Sequence, residues 1–346
     1  MNPKIISIGY AVPELFYTQA EIFAELQYPR PFWRLFRDSG VDKRHFQVPL
    51  ERVRHLSWQE QQEEYLVGAT RLSEEAALVC LDLRSMDEIG CIIYGSCTGF
   101  APGPTVAHYL GRQLGFAPST YYNNIIGQGC ESGFPGLKRA YDFAVVTGKA
   151  ALVVNCELAS LTYFPEVDKP DPENDYELLR ANAIFGDAAT CALIGFDNSP
   201  RHPFIIDTET YTNTDYLGDL GYVWRDGRLR VLLSKRVPEL APLVVKPAVD
   251  AVLERNRLTI KDIEWWVVHA AGSSVLDNIR DALGIDEDKL SLSRSTLRAF
   301  GNTSSTSVGI TGKRLMSEDI NPGDFAMVLS IGPGISGGAT LLRFGD

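Results

Sequence analysis

Residues 123–142, NNIIGQGCESGFPGLKRAYD, decide how the rest of the chain is read. The stretch arrives as an apolar, strand-like run and turns at Gly127 and Gly129, where glycine tolerates backbone angles that other residues avoid. It leaves as a helix: Phe134, Leu137, Tyr141 and Ala144 recur at spacings of three and four, the apolar stripe of an amphipathic helix. Cys130 lies in the turn, just ahead of that helix. A thiol there feels the positive end of the helix macrodipole, which favours the thiolate and makes Cys130 a candidate nucleophile. Free cysteine is equally a small residue suited to burial. The local sequence leaves both readings open.

Two further segments bear on the choice. WWVVHAAG (265–272) is a buried-strand pattern that delivers His269 into a Gly-containing turn, and FGNTSS (300–305) sets Asn302 ahead of small hydroxyl residues and a second helical run. Active sites of layered α/β folds collect at such strand-to-helix turns. A lone His or a lone Gly-Asn turn says little. Cys, His and Asn in this order say more.

The motifs GVDKRHF (40–46), GQGCESG (127–133), NCELASLTYF (155–164), AIFGDAA (183–189), VVHAAG (267–272), FGNTSS (300–305) and GPGISGG (332–338) run along nearly the whole chain. In these the sequence resembles the thiolase-fold condensing enzymes, and within them the type III polyketide synthases of chalcone and stilbene synthase type, related to ketoacyl synthase III. The resemblance implies a duplicated, five-layer αβαβα fold. It puts the family's Cys-His-Asn triad on Cys130, His269 and Asn302. It also implies a homodimer, and substrates that are acyl and malonyl-type thioesters of coenzyme A or of a phosphopantetheine-bearing acyl carrier protein. No metal or redox cofactor is implied.

Composition is that of an ordinary globular protein. The 346 residues are 45% hydrophobic and 22% charged, ordinary for a globular protein. A net charge of -11 argues against broad nucleic-acid or anionic-membrane binding. No apolar run approaches the length of a membrane span, and the first residues lack a signal-peptide pattern. Six scattered cysteines without a CxxC pair suggest neither a zinc site nor a disulfide framework, and a reducing cytoplasm fits them.

Along the chain, strands are expected at 5–8, 89–95, 150–156, 204–212, 227–234, 265–269, 325–331 and 338–344. Helices are expected at 19–26, 60–81, 104–115, 237–254, 274–283 and 304–316. Thr18 and Glu21 form a capping-box pattern at the first helix. Strands alternating with helices imply parallel sheets covered on both faces. The segment DNSPRHP (197–203) reads as the link between an N-terminal half, 1–196, with the nucleophile and a C-terminal half, 204–346, with the His and Asn. The acidic, Pro-rich segment 165–182 reads as a surface loop or a cover over an entrance.

Substrate contacts follow from charge and from the resemblance. Between residues 30 and 54, Arg30, Arg34, Arg37, Lys43, Arg44, Arg52 and Arg54 stand among only Asp38, Asp42 and Glu51. In an acidic chain such local excess suggests an anionic partner, a solvated face being the alternative. The resemblance sets this segment at the mouth of a coenzyme A tunnel, so Lys43, Arg44 and Arg37 are assigned to phosphates. It likewise makes Cys97 and Thr98 pocket residues, and Tyr163 and Val231 the two gatekeepers. Gly272, Gly332, Pro333 and Gly334 line the site. Glu131, beside the nucleophile, departs from the family pattern; pointing inward it would raise the Cys130 pKa, so it is expected to point away or to make a special contact.

Overall fold

The computed structural model describes residues 2–82, 84, 86–99, 103–163, 176–225 and 228–345. Nine strands carry the architecture: β1 (Lys4–Ala11), β2 (Ile89–Gly95), β3 (Tyr121–Ile125), β4 (Ala150–Glu157), β5 (Ala188–Gly195), β6 (Phe204–Thr212), β7 (Ile263–Val268), β8 (Phe325–Gly332) and β9 (Ser336–Arg343). Their order is β7-β8-β9-β6-β1-β5-β4-β2-β3. The single ladder pair Lys4↔Phe204 joins β1 to β6, so the strands form two sheets that meet at one corner.

The two sheets repeat one wiring. In the first, β2 runs parallel to β4, β4 antiparallel to β5, and β5 antiparallel to β1. In the second, β7 runs parallel to β8, β8 antiparallel to β9, and β9 antiparallel to β6. A parallel pair needs a crossover connection and an antiparallel pair only a turn. In each half the crossover ends in a helix that feeds the third strand: α2 (Gly133–Thr147) before β4, and α4 (Ser307–Leu315) before β8.

Those two helices lie between the sheets. Leu137 and Ala140 of α2 and Val308 and Leu315 of α4 share one apolar cluster with Ile93 and Val153 of the first sheet and Val267 and Ala326 of the second. The outer faces are covered by α1 (Trp58–Leu81) on β1 and β5, and by α3 (Val237–Asn256) on β6 and β9. This is a helix, sheet, helix, sheet, helix stack, the five-layer thiolase-type α/β fold that the sequence led one to expect. The strands buried on both faces read as continuous apolar runs; every residue of β2 is buried.

Local signals hold where expected. The Thr18–Glu21 capping box opens the helix Gln19–Leu26, and Ser57 with Glu60 caps α1 in the same way. The sheets are mixed and not the parallel sheets expected from alternating strands and helices, since each half contains two antiparallel pairs. Three elements also differ from the sequence reading. A strand at Leu220–Arg225 pairs with Arg228–Leu233, and a helix at Ser291–Phe300 packs under β7 and α4; neither was anticipated. Residues 165–175 of the acidic segment lie outside the described residues. Its remainder is not loop but the start of the helix Tyr176–Ile184, which buries Leu178, Leu179 and Ala181.

Candidate active site

Cys130, His269 and Asn302 line one cavity of about 340 Å³, together with Gly272, Phe185 and Val237. Each arrives at the same level of the stack. Cys130 occupies the short turn Gly129–Glu131 ahead of α2, His269 follows β7, and Asn302 follows the helix Ser291–Phe300. The turn at Gly129 has φ 52°, and a Cβ there would stand 2.4 Å from Pro333 Cδ. Glycine is therefore required on steric as well as conformational grounds, and Pro333 braces the nucleophile turn.

The ionisation states differ from the sequence expectation. The cavity, not bulk solvent, is what the half-buried Cys130 opens to. Burial pushes its thiol up to about 12, opposed by the Ser304 hydroxyl and reinforced by Glu157. Desolvation of the charged form thus outweighs the macrodipole. Burial also lowers His269 to about 4. The resting pair is a thiol beside a neutral imidazole.

Hydrogen bonds fix the two polar partners. His269 Nδ1 bonds the Ser307 hydroxyl, which also accepts from the Ala270 N–H at 3.3 Å. That hydroxyl can donate to Nδ1 or accept from it, so it supports either tautomer and the imidazolium. Asn302 Oδ1 accepts from the Ser304 N–H at 2.8 Å, and Asn302 Nδ2 donates to the Ala271 carbonyl at 3.1 Å. The amide orientation is thereby set, with its second N–H left over as a donor. Asn302 itself is held by backbone bonds to Ile184 (2.7 Å) and Gly186 (3.1 Å).

Behind the nucleophile lies a buried network absent from the sequence reading. Ser304 Oγ stands 3.2 Å from Cys130 Sγ and 3.3 Å from Glu157 Oε1. Its one hydrogen serves one acceptor or the other. Glu157 is fully buried, and burial raises its carboxyl above the ordinary range. Ser305 (2.5 Å), Thr98 (2.9 Å) and the Cys97 N–H (3.1 Å) donate to it. Nothing in its strand pattern marked Glu157 out. Ser304 and Ser307 were visible only as small residues after Asn302.

A second cavity of about 440 Å³ is lined by Tyr65, Tyr94, Cys97, Gly129, Tyr222 and Pro333 among others. Cys97 lines this cavity, with Tyr222 donating to its sulfur at 3.3 Å. Thr98 lines neither cavity; its hydroxyl is committed to Glu157 and to the Leu158 N–H. Tyr163 is buried against Phe185, ring centroids 4.5 Å apart, with its hydroxyl on Tyr222. Val231 is buried directly across the hairpin from Tyr222. It is Tyr222, not Val231, that faces the cavity. Gly332 packs on the nucleophile turn, where a Cβ would meet Gln128 O at 2.6 Å. Gly334 lines neither cavity.

The basic assignments change most. Arg44 is fully buried and donates to the Phe185 carbonyl (2.9 Å) and to Gln19 Oε1 (2.7 Å). Its stem packs against Gly186 and Gly301, the glycines flanking the Asn302 bonds. It braces the turn and does not reach a phosphate. Arg37 makes a two-pronged pair with Asp38 (2.7 and 2.8 Å). Lys43 stands 4.7 Å over the Phe16 ring. None of the three lines the 340 Å³ cavity, whereas Arg34 and Arg180 do. Glu131 is buried with its Cβ near Gly332, and burial pushes its carboxyl up to about 7.

Comparison with known proteins agrees with this architecture. Residues 45–198 match the family of chalcone and stilbene synthases, N-terminal domain, and residues 253–344 match the 3-oxoacyl-[acyl-carrier-protein] synthase III C-terminal family. A putative chalcone synthase of Bacillus subtilis is 27% identical, with 96% of each chain covered. A 1,3,6,8-tetrahydroxynaphthalene synthase of Streptomyces griseus is 28% identical, covering 88% of this chain and 80% of that one. The crystal structure of the Streptomyces coelicolor tetrahydroxynaphthalene synthase, 25% identical, superposes with TM-score 0.90 over 99% of both chains. Fold and likenesses together define a condensing acyltransferase of the thiolase fold. Within that class the chain is similar to the type III polyketide synthases of chalcone and stilbene synthase type.

Proposed function

We propose that the chain forms carbon–carbon bonds by decarboxylative Claisen condensation of acyl and malonyl-type thioesters, with the growing acyl group held on Cys130. One observation carries the assignment of roles: a thiol, a neutral imidazole and an oriented amide N–H line the same cavity. His269 takes the Cys130 proton on Nε2 as the thiolate attacks the incoming thioester and holds it until Cys130 is released, while the departing thiolate is protonated from solvent. Proton transfer at the moment of attack suits a pair that rests neutral. A malonyl-type thioester then loses carbon dioxide, leaving an enolate whose oxygen accepts from Asn302 Nδ2–H and His269 Nε2–H. The enolate carbon attacks the Cys130 thioester, a carbon–carbon bond forms, and the Cys130 thiolate leaves and regains its proton. The 440 Å³ cavity receives the lengthening chain.

The remaining expectations belong to the same proposal. The halves 1–196 and 204–346 act as two units that bring the thiol to the imidazole and amide. A homodimer forms through the open edge of β3, where Tyr121 is 65% exposed and Ile126, just past the strand, 78%, since an unpaired edge strand invites pairing. Work in the cytoplasm keeps the thiol reduced. No helix of the described residues is long and apolar enough to cross a membrane. An acyl carrier protein as donor rests on the C-terminal family match alone. Incubation with acyl-coenzyme A and then malonyl-coenzyme A tests the proposal: the expected result is Cys130-dependent acylation, carbon dioxide release and a longer product. Free acid as the sole product would refute it.

A further inference from the structure

We propose that Arg44, together with Gln19, is a positioning residue for Asn302: it clamps residues 183–186 against the Asn302 turn, so that the Asn302 amide stands ready for the enolate oxygen of the extension step. This rests on the condensing-enzyme reading above and deepens it.

Three consecutive carbonyls, those of Ala183, Ile184 and Phe185, carry the clamp. The helix Tyr176–Ile184 ends here, and the last carbonyls of a helix have no partner within it. Each finds one outside. The Ala183 carbonyl accepts from Gln19 Nε2 at 2.7 Å, the Ile184 carbonyl from the Asn302 N–H at 2.7 Å, and the Phe185 carbonyl from Arg44 Nη1 at 2.9 Å. The Gly186 N–H returns a bond to the Asn302 carbonyl at 3.1 Å. Both backbone groups of Asn302 are thus held by this segment. Arg44 Nη2 donates to Gln19 Oε1 at 2.7 Å, which turns the Gln19 amide nitrogen toward Ala183. The two side chains act as one unit.

A guanidinium suits the place. A cation is favoured at a helix C-terminus, and a rigid fork of donors reaches two acceptors at once. Burial lowers the Arg44 ionisation to about 9, opposed by Asp187, so the group stays charged at neutral pH. Its stem fills the space between the two segments: a Cβ on Gly301 would stand 2.7 Å from Arg44 Cγ, and one on Gly186 3.3 Å from Arg44 Cβ. Arg44 is fixed in turn by its neighbour, since the His45 carbonyl accepts from the Asp187 N–H at 3.0 Å. The clamp bears on one of the two chemical steps. Cys130 is braced by Pro333 through the Gly129 turn, and His269 by Ser307. Asn302 is what residues 183–186 hold, and Asn302 serves the enolate and not the acylation of Cys130.

The test compares Arg44→Lys and Gln19→Leu with the unmodified protein, each first shown to be folded by its thermal melt. Lysine keeps the charge without the fork that spans both acceptors. Cys130 acylation by an acyl-coenzyme A is timed by intact-protein mass spectrometry, and carbon dioxide release from malonyl-coenzyme A by single turnover. Arg44→Lys should slow carbon dioxide release about tenfold or more, with the KM for malonyl-coenzyme A and the acylation rate changed by less than about twofold. Gln19→Leu should act in the same direction with a smaller loss, and it carries the test if Arg44→Lys does not fold. In an Asn302→Ala background neither substitution should slow carbon dioxide release further, because the group they position is gone. Equal slowing of both steps, or a full additional loss in that background, overturns the proposal. The crystal structure of either variant reads the clamp without activity: residues 184–186 and Asn302 should be displaced, and an unmoved Asn302 overturns the clamp. If the unmodified protein releases no carbon dioxide, the condensation reading fails, and that structure still decides whether Arg44 and Gln19 hold Asn302.

Discussion

The turns that open α2 and α4 occupy matching places in the two halves, yet they are built from opposite materials. The first, residues 127–132, is glycine-rich and opens the Cys130 thiol to a cavity. The second, residues 303–307, is a run of Thr and Ser that is buried throughout. Both turns contain a left-handed residue, Gly129 at φ 52° and Ser304 at φ 54°. At the first, glycine adopts it freely. At the second a serine accepts the strain, and its hydroxyl lies 3.2 Å from Cys130 Sγ. The difference teaches a division of labour. One half presents the reacting atom and leaves room around it; the other spends its backbone freedom on donors aimed at that atom.

The largest way to break this comparison is to remove the second half's donor. Asn302→Ala should leave Cys130 acylation nearly intact and lower carbon dioxide release by about a hundredfold or more, the usual cost of one oxyanion donor. Single-turnover measurement of each step checks it; equal losses in both steps would mean that the two halves do not divide the work. Glu131→Gln comes next, since it tests the acid hidden in the first turn. A carboxyl raised to about 7 in the folded state keeps its proton longer than in the unfolded chain. Its stabilising effect is complete below the unfolded value near 4 and fades as pH rises through 7, by roughly 3 kcal/mol at most. Thermal melts from pH 4 to pH 8 should show the unmodified protein losing stability relative to Glu131→Gln as pH rises. A constant difference across that range would contradict the buried state. The smallest effect belongs to Ser304→Ala. Loss of one hydroxyl donor of about 1 kcal/mol should slow thiolate formation several-fold and move alkylation of Cys130 to higher pH, as a thiol-reactivity profile would detect.

What could be read from the sequence follows from how local each signal is. The Cys130 turn, the His269 strand and the Asn302 turn each announce themselves within about ten residues, by apolar runs ending in glycine. The repeated alternation of strand and helix follows from the order of such runs, but not the antiparallel pairs within each sheet. Contacts made across the stack leave no local trace. Ser307 meets His269 from a separate helix, 38 residues on, and Glu157 falls just past the expected strand 150–156, where an acidic residue reads as an ordinary strand end. Arg44 misled because charge excess reports composition, not direction: the same stretch contains a fully buried arginine and the cavity-lining Arg34. Val231 and Tyr222 show the other limit. They stand opposite each other on one hairpin, and only the fold decides that the tyrosine faces the cavity.

The central claim, that Cys130 of the glycine-rich turn carries the acyl group while Asn302 and His269 of the second half drive its extension, is open to one direct measurement. Purified protein is treated with a panel of acyl-coenzyme A esters, then with malonyl-coenzyme A, and weighed intact at each stage beside Cys130→Ala. The account predicts an acyl adduct that requires Cys130, is lost on malonyl addition, and gives way to carbon dioxide and a lengthened product. An adduct that forms equally on Cys130→Ala, or one that is only hydrolysed to free acid, would contradict it.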